Sequence, residues 1–244
     1  MEDFFNSLSI PESCFVGKKL DKKEFIENFS LNSNDKKILS KDIDRITLEH
    51  LLNQNTINIS PFTDEDKDFS EIAFIKVKIS NLDKLKSINN IIQQIPYPLI
   101  VFYIYENQLA MSICPKRINK SDNSKLVVEE EYFSKWLNFN NLNEIEKTFL
   151  NNLNINKHPF TDFLAFYESI IDTIIAFNAS KYTGTMNASK DTKKLLAKIE
   201  NIEIKIAEIK NKIKKETNFN DKVNMNIELK KLNDTLKDLK EDLK

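Results

Sequence analysis

Beyond position 190 the apolar residues recur every three or four positions, and no glycine or proline interrupts them. Before it, apolar residues alternate or cluster in short runs divided by polar, proline-containing stretches. The change of period predicts an α+β body followed by long helices. Residues 2–9 and 21–29 read as short helices, the second with Leu20, Phe25, Ile26 and Phe29 on one face and Asp21 as N-cap. A further helix is expected near 33–41. "RITLEHLL" and "TINIS" predict short strands, and Pro61 with "TDEDKD" a loop. Glu71 to Ile79 predicts a strand buried on more than one side, with a bulge. Leu82, Leu85, Ile88, Ile92 and Ile95 form the stripe of a helix that Pro96 and Pro98 end. Leu99 to Tyr105 and Gln108 to Cys114 predict a hairpin, with Asn107 the turn residue that tolerates positive φ. "INKSDNSK" reads as a loop, and "LVVEEEYF" as a strand leading into a short helix around Trp136. Helices are expected near 143–153 and 160–179, the latter with an apolar face wide enough to require burial. The sheet is expected to be mixed or antiparallel, with packed helices.

The polar stretch "NASKYTGTMNASKD" marks a boundary. It divides a globular domain (1–180) from a linker (181–190) and coiled-coil helices (191–244). Leu195, Ile199, Ile202, Ile206, Ile209 and Ile213 are spaced 4, 3, 4, 3, 4, a heptad seam. A second seam, Met225, Leu229, Leu232, Leu236, Leu239 and Leu243, has the same spacing but stands two residues out of register. The chain therefore either crosses a discontinuity as one rod or turns near Thr217–Asn220 into a second, antiparallel helix. The hairpin is favoured, because Thr217, Asn218 and Asn220 are N-cap residues and the two segments match in length.

Composition removes whole classes of chemistry. With two glycines in 244 residues, Gly17 and Gly184, neither a phosphate-wrapping Walker loop nor a dinucleotide-binding turn can form. Cys14 and Cys114 are far apart, which excludes a thiolate zinc finger and fits a reducing compartment. The acidic N-terminus does not read as a signal sequence, and the longest apolar run falls far short of the ~20 residues that span a bilayer. A cytoplasmic protein with no membrane association is expected. Net charge is −1. Residues 190–244 hold 15 Lys against 11 acidic residues, net +4, leaving 21 basic against 26 acidic, net −5, in the preceding 189.

"KKETNFNDKVNMNIELKKLNDTL" resembles the C-terminal signature of a bacterial family, domain of unknown function 4391, at Glu216, Phe219, Asn220, Lys222, Val223, Asn226, Glu228 and Leu229. Asn218 stands where the family often has Gln. "QIPYPLIVFYIY" resembles its central strand at Ile95, Pro96, Tyr97, Pro98 and Leu99, and "LLNQNTINI" and "EIAFIKVKI" echo further elements. The overlap runs from about residue 20 to 243. The resemblance implies an accessory protein of prokaryotic antiviral, restriction-like islands, found beside helicases and DNA methyltransferases.

The expected function is accordingly a non-catalytic adaptor subunit that binds a helicase, a methyltransferase or itself through its C-terminal coiled coil. Its expected partner-binding residues are Phe219, Asn220, Lys222, Val223, Asn226, Ile202, Ile206 and Ile209. DNA contact, direct or indirect, would fall to Lys116, Arg117, Lys210, Lys212, Lys214 and Lys215. A metal-dependent nuclease is the alternative enzyme. It would use Asp64, Glu65, Asp66, Asp68 and Glu71 with Lys76 and Lys78, although the Glu of a Glu-x-Lys pair is missing from "IKVK". No cofactor, metal site or catalytic residue is expected, since His50 and His158 lack a nucleophile and an orienting carboxylate in any readable arrangement.

Overall fold

A computed structural model describes residues 2–187 and 191–243. The chain divides into two units, Met1–Ile174 and Ile175–Lys244. In the first, α1 (Glu2–Ser7), β1 (Phe15–Leu20), α2 (Lys22–Asn28) and α3 (Ser33–Lys41) precede β2 (Ile43–Asn53). The small hairpin β3 (Phe62–Thr63) and β4 (Asp68–Phe69) leads into β5 (Glu71–Ile79), α4 (Leu85–Ile92), β6 (Leu99–Tyr105) and β7 (Gln108–Ile113). A second hairpin, β8 (Lys116–Asn119) and β9 (Asp122–Val128), is followed by β10 (Tyr132–Phe133), β11 (Leu137–Asn138), α5 (Glu144–Asn152) and the start of α6 (Phe163–Thr183).

The main sheet runs β1-β2-β5-β6-β7-β10, and β11 also pairs with β7. Every pairing is antiparallel except β5 with β6, whose connection holds α4. This is the expected α+β class with a mixed sheet. Ala73, Ile75, Val77 and Ile79 alternate onto one face of β5 and meet Phe25, Ile38, Leu39, Ile88, Ile91 and Ile92 from α2, α3 and α4. On the other face Phe74 and Phe102 stack at 6.3 Å, and Phe4 and Phe5 of α1 meet Phe102 edge-on. Burying each such side chain contributes about 1.5–3 kcal/mol, so β5 is anchored from both sides over its first half.

Several local expectations are corrected. "TINIS" forms no strand. Thr56 Oγ donates to Leu51 O and accepts from Asn53 N, turning the chain, and Ile57 and Ile59 are buried without a ladder. "INKSDNSK" is not a loop, because Arg117 and Ile118 pair with Val127 and Leu126. Trp136 lies between β10 and β11 rather than in a helix, because both of these short strands pair with β7. Positive φ in the β6–β7 turn falls on Glu106 (φ 51), not on Asn107. Asp21 occupies the N-cap position of α2 but its side chain bonds no backbone N–H.

In the second unit α6 ends at Thr183, and α7 (Thr192–Lys215) and α8 (Phe219–Asp242) pack against each other. Residues 188–190 of the expected linker lie outside the described residues. Only Glu216–Asn218 separates the helices, so they run antiparallel. Asn218 Oδ1 accepts from Asn220 N and Asp221 N, and Glu216 Oε1 accepts from Thr217 N and Asn218 N. The asparagine-rich block is therefore a turn followed by a capped helix.

Candidate functional site

The hairpin's interior comes from α7: Ile199, Ile206 and Ile209 are buried, Leu195, Ile202 and Ile213 half-buried. Against them α8 turns Met225, Leu229, Leu232, Leu236, Leu239 and Leu243, each half-buried. Glu203 of α7 accepts from Lys240 Nζ at 3.1 Å and Tyr182 Oη at 3.1 Å. With α8 so oriented, a different set of positions faces outward. Phe219 is 77% exposed, Val223 40% and Ile227 51%. Their four-residue spacing places the three apolar side chains on one stripe of α8 beside the turn. Nothing within the hairpin covers it.

Of the residues singled out in the sequence, Phe219, Asn220, Val223 and Asn226 are exposed together on the first two turns of α8, with Lys222 half-buried beside them. Ile206 and Ile209 are buried inside the hairpin and Ile202 partly so, which spends them within the chain. Ile227 belongs to the exposed stripe and was missed. Its signal was the four-residue step from Val223, hidden because Met225 starts the stronger seam. Lys210, Lys212, Lys214 and Lys215 are all exposed near the turn. Lys116 is not available to a phosphate: it is 2% exposed and donates to Ile95 O at 2.7 Å and Tyr97 O at 2.8 Å. Arg117 donates to Ile118 O at 3.2 Å.

The acidic loop and the lysines of β5 are not gathered into one centre. Glu71 lines a cleft with Ala73 and Ile75, whereas Lys76 and Lys78 line the opposite face of the sheet. Asp64 Oδ1 accepts from Asp66 N and Lys67 N, a turn-forming role. Among the described residues no group of three His, Cys, Asp or Glu side chains is placed to hold a metal. His158 Nδ1 lies 2.9 Å from Ser169 Oγ, and burial lowers the pKa of both His158 and His50.

A buried polar cluster was not legible in the sequence. Asn89 Oδ1 accepts from Tyr103 Oη and Ser112 Oγ, both at 2.7 Å, and from Gln93 Nε2 at 3.3 Å. Asn89 Nδ2 donates to Glu131 Oε1 at 3.2 Å. Asn89 is 0% exposed, so this cluster joins α4 to β6 and β7 rather than meeting a ligand.

Fold and surface together define an α+β protein that carries a helical hairpin with an open apolar stripe. The family model described as Domain of unknown function (DUF4391) matches residues 8–236, and the chain belongs to that family. No curated protein and no solved structure matches it. No helix among the described residues is long and apolar enough to cross a membrane.

Proposed function

We propose that this protein is a non-catalytic adaptor whose hairpin docks a protein partner through the outer face of α8. The carrying observation is the exposed stripe Phe219, Val223 and Ile227, left open once the hairpin has satisfied its own seam. Solvating three such side chains forgoes the stabilisation their burial would give, and exposed aromatic residues are common anchors of interfaces. Lys222 stands three residues after Phe219 on the same helix, and the exposed Lys210, Lys212, Lys214 and Lys215 precede the turn that leads into it. The partner that fits is an apolar cleft bordered by carboxylates. The sequence resemblance supports reading this role as one in a prokaryotic antiviral, restriction-like system, and the proposed partner is a helicase or DNA methyltransferase.

The test is co-expression of the full chain with helicases and DNA methyltransferases of restriction-like systems from its own host, comparing wild type with Phe219→Ser/Ile227→Ser. Recovery of one enzyme by the wild type, its loss in the variant at unchanged melting temperature, and a photo-crosslink from position 219 to an acidic-rimmed cleft are expected. Equal recovery by both chains, or none by either, rejects the proposal.

A further inference from the structure

A recess of about 290 Å³ opens on the face of the main sheet opposite α4, lined by Phe15 and Gly17 of β1, Arg45, Thr47 and Glu49 of β2, Lys76 and Lys78 of β5, and Ile104. Register explains its charge. Arg45 stands directly opposite Lys78, and Thr47 opposite Lys76. Lys76 is matched: its Nζ donates to Glu49 Oε1 at 2.8 Å and lies 4.8 Å from the Phe5 ring. Arg45 and Lys78 have no ion-pair partner among the described residues. Like charges directly opposite on antiparallel strands are destabilising, so the sheet carries an uncompensated cationic pair at this rung.

Three register shifts shape the site. On β2 pairing shifts between Ile43 and Arg45, and between Leu48 and His50, which leaves Glu49 as the extra residue that reaches Lys76; on β1 it shifts between Phe15 and Lys18. The shift on β1 contains Gly17 at φ +61, where a Cβ would stand 2.7 Å from the Phe15 ring. The ring therefore lies over the glycine, edge-on to His50 at 5.6 Å, and stays 51% exposed at the rim of the recess. Bulges recur where a strand must re-aim side chains beside a functional site. An exposed aromatic ring beside a row of cations is the arrangement that takes a base and its phosphate together.

We propose that this recess binds the nucleotide unit, either free or within single-stranded nucleic acid. Arg45 and Lys78, the two uncompensated cations, meet the phosphate, and the Phe15 ring stacks on the base. The site is independent of the adaptor surface and uses none of its residues.

Binding of the full chain to a short fluorescein-labelled oligothymidylate is measured by anisotropy across salt concentration, with AMP and inorganic phosphate as competitors. The wild type is expected to bind with a log–log salt slope of about −1.4, since each of two single-strand phosphate contacts contributes about −0.7. Lys78→Glu supplies Arg45 with a cross-strand partner. It is expected to weaken binding about tenfold or more and to raise the melting temperature by about 1–3 °C. Phe15→Ala is expected to lower affinity without changing the slope. Competition by AMP but not by phosphate at equal concentration identifies a free nucleotide, whereas competition by neither identifies the polymer. The proposal is overturned if the wild type binds neither oligothymidylate nor AMP at low salt. Unchanged binding in Lys78→Glu, or loss only when Lys210, Lys212, Lys214 and Lys215 are replaced by serine, overturns it equally.

Discussion

Lys116 Nζ donates to Ile95 O at 2.7 Å, so the ammonium at the start of β8 caps the end of the chain that leaves α4. Its second bond, to Tyr97 O at 2.8 Å, secures the next carbonyl but one. Both carbonyls precede prolines, Pro96 and Pro98, in a segment whose prolines have no N–H to donate. The lysine thus supplies the donors that set the entry into β6.

Burial pushes this ammonium down to about 7. In the unfolded chain it titrates near 10.5. Between those values the unfolded state holds more proton, and stability rises with pH by at most about 1.4 kcal/mol per unit. Cys114 acts oppositely, because burial raises its thiol from 9.0 to about 11 and the folded state keeps that proton longer. The urea midpoint is therefore expected to climb from pH 7 to 9 and to level off above. In Lys116→Met the climb should vanish, with about 1–3 kcal/mol lost for the two unpaired carbonyls. A climb that persists in the variant would assign it to other groups.

Asn89 joins three donors at one oxygen, and two of them, Tyr103 Oη and Ser112 Oγ, are fully buried. Replacing it with alanine strands both hydroxyls and opens a cavity. The expected loss is at least about 3 kcal/mol in denaturant unfolding. Asn89→Leu fills the space but leaves the hydroxyls unpaired, so it should recover only part of that loss. Full recovery would show that packing, not the polar cluster, is what Asn89 contributes.

At the hairpin turn, Asn218 accepts the second and third N–H groups of α8, those of Asn220 and Asp221. Asn218→Ala should cost about 1 kcal/mol. It should speed amide hydrogen exchange at Asn220 and Asp221 while leaving exchange in α4 and β6 unchanged. Uniform acceleration over the whole chain would mean that the turn is not a local unit of stability.

Much of this architecture was legible from periodicity. The seam from Leu195 to Ile213, the second seam from Met225 to Leu243 and the two-residue offset between them marked a change of register, the N-cap residues there favoured a turn over one rod, and the structure has that turn at Glu216–Asn218. Runs of β-branched and aromatic residues likewise revealed β5 and β6, and the turn after Tyr105 revealed β7. Three things needed the folded chain. Val127 and Leu126 lie next to Arg117 and Ile118 only because a turn returns the strand, so a polar stretch became a hairpin. Lys116 reads as a surface cation until its ammonium is seen meeting two carbonyls some twenty residues back. Arg45 and Lys78 are 33 positions apart, and a bulge between Ile43 and Arg45 decides that they share a face. The local pattern of apolar residues determines helices and strands because their periods belong to the backbone itself. Which charges meet depends on register and bulges, and those are settled only when strands pair.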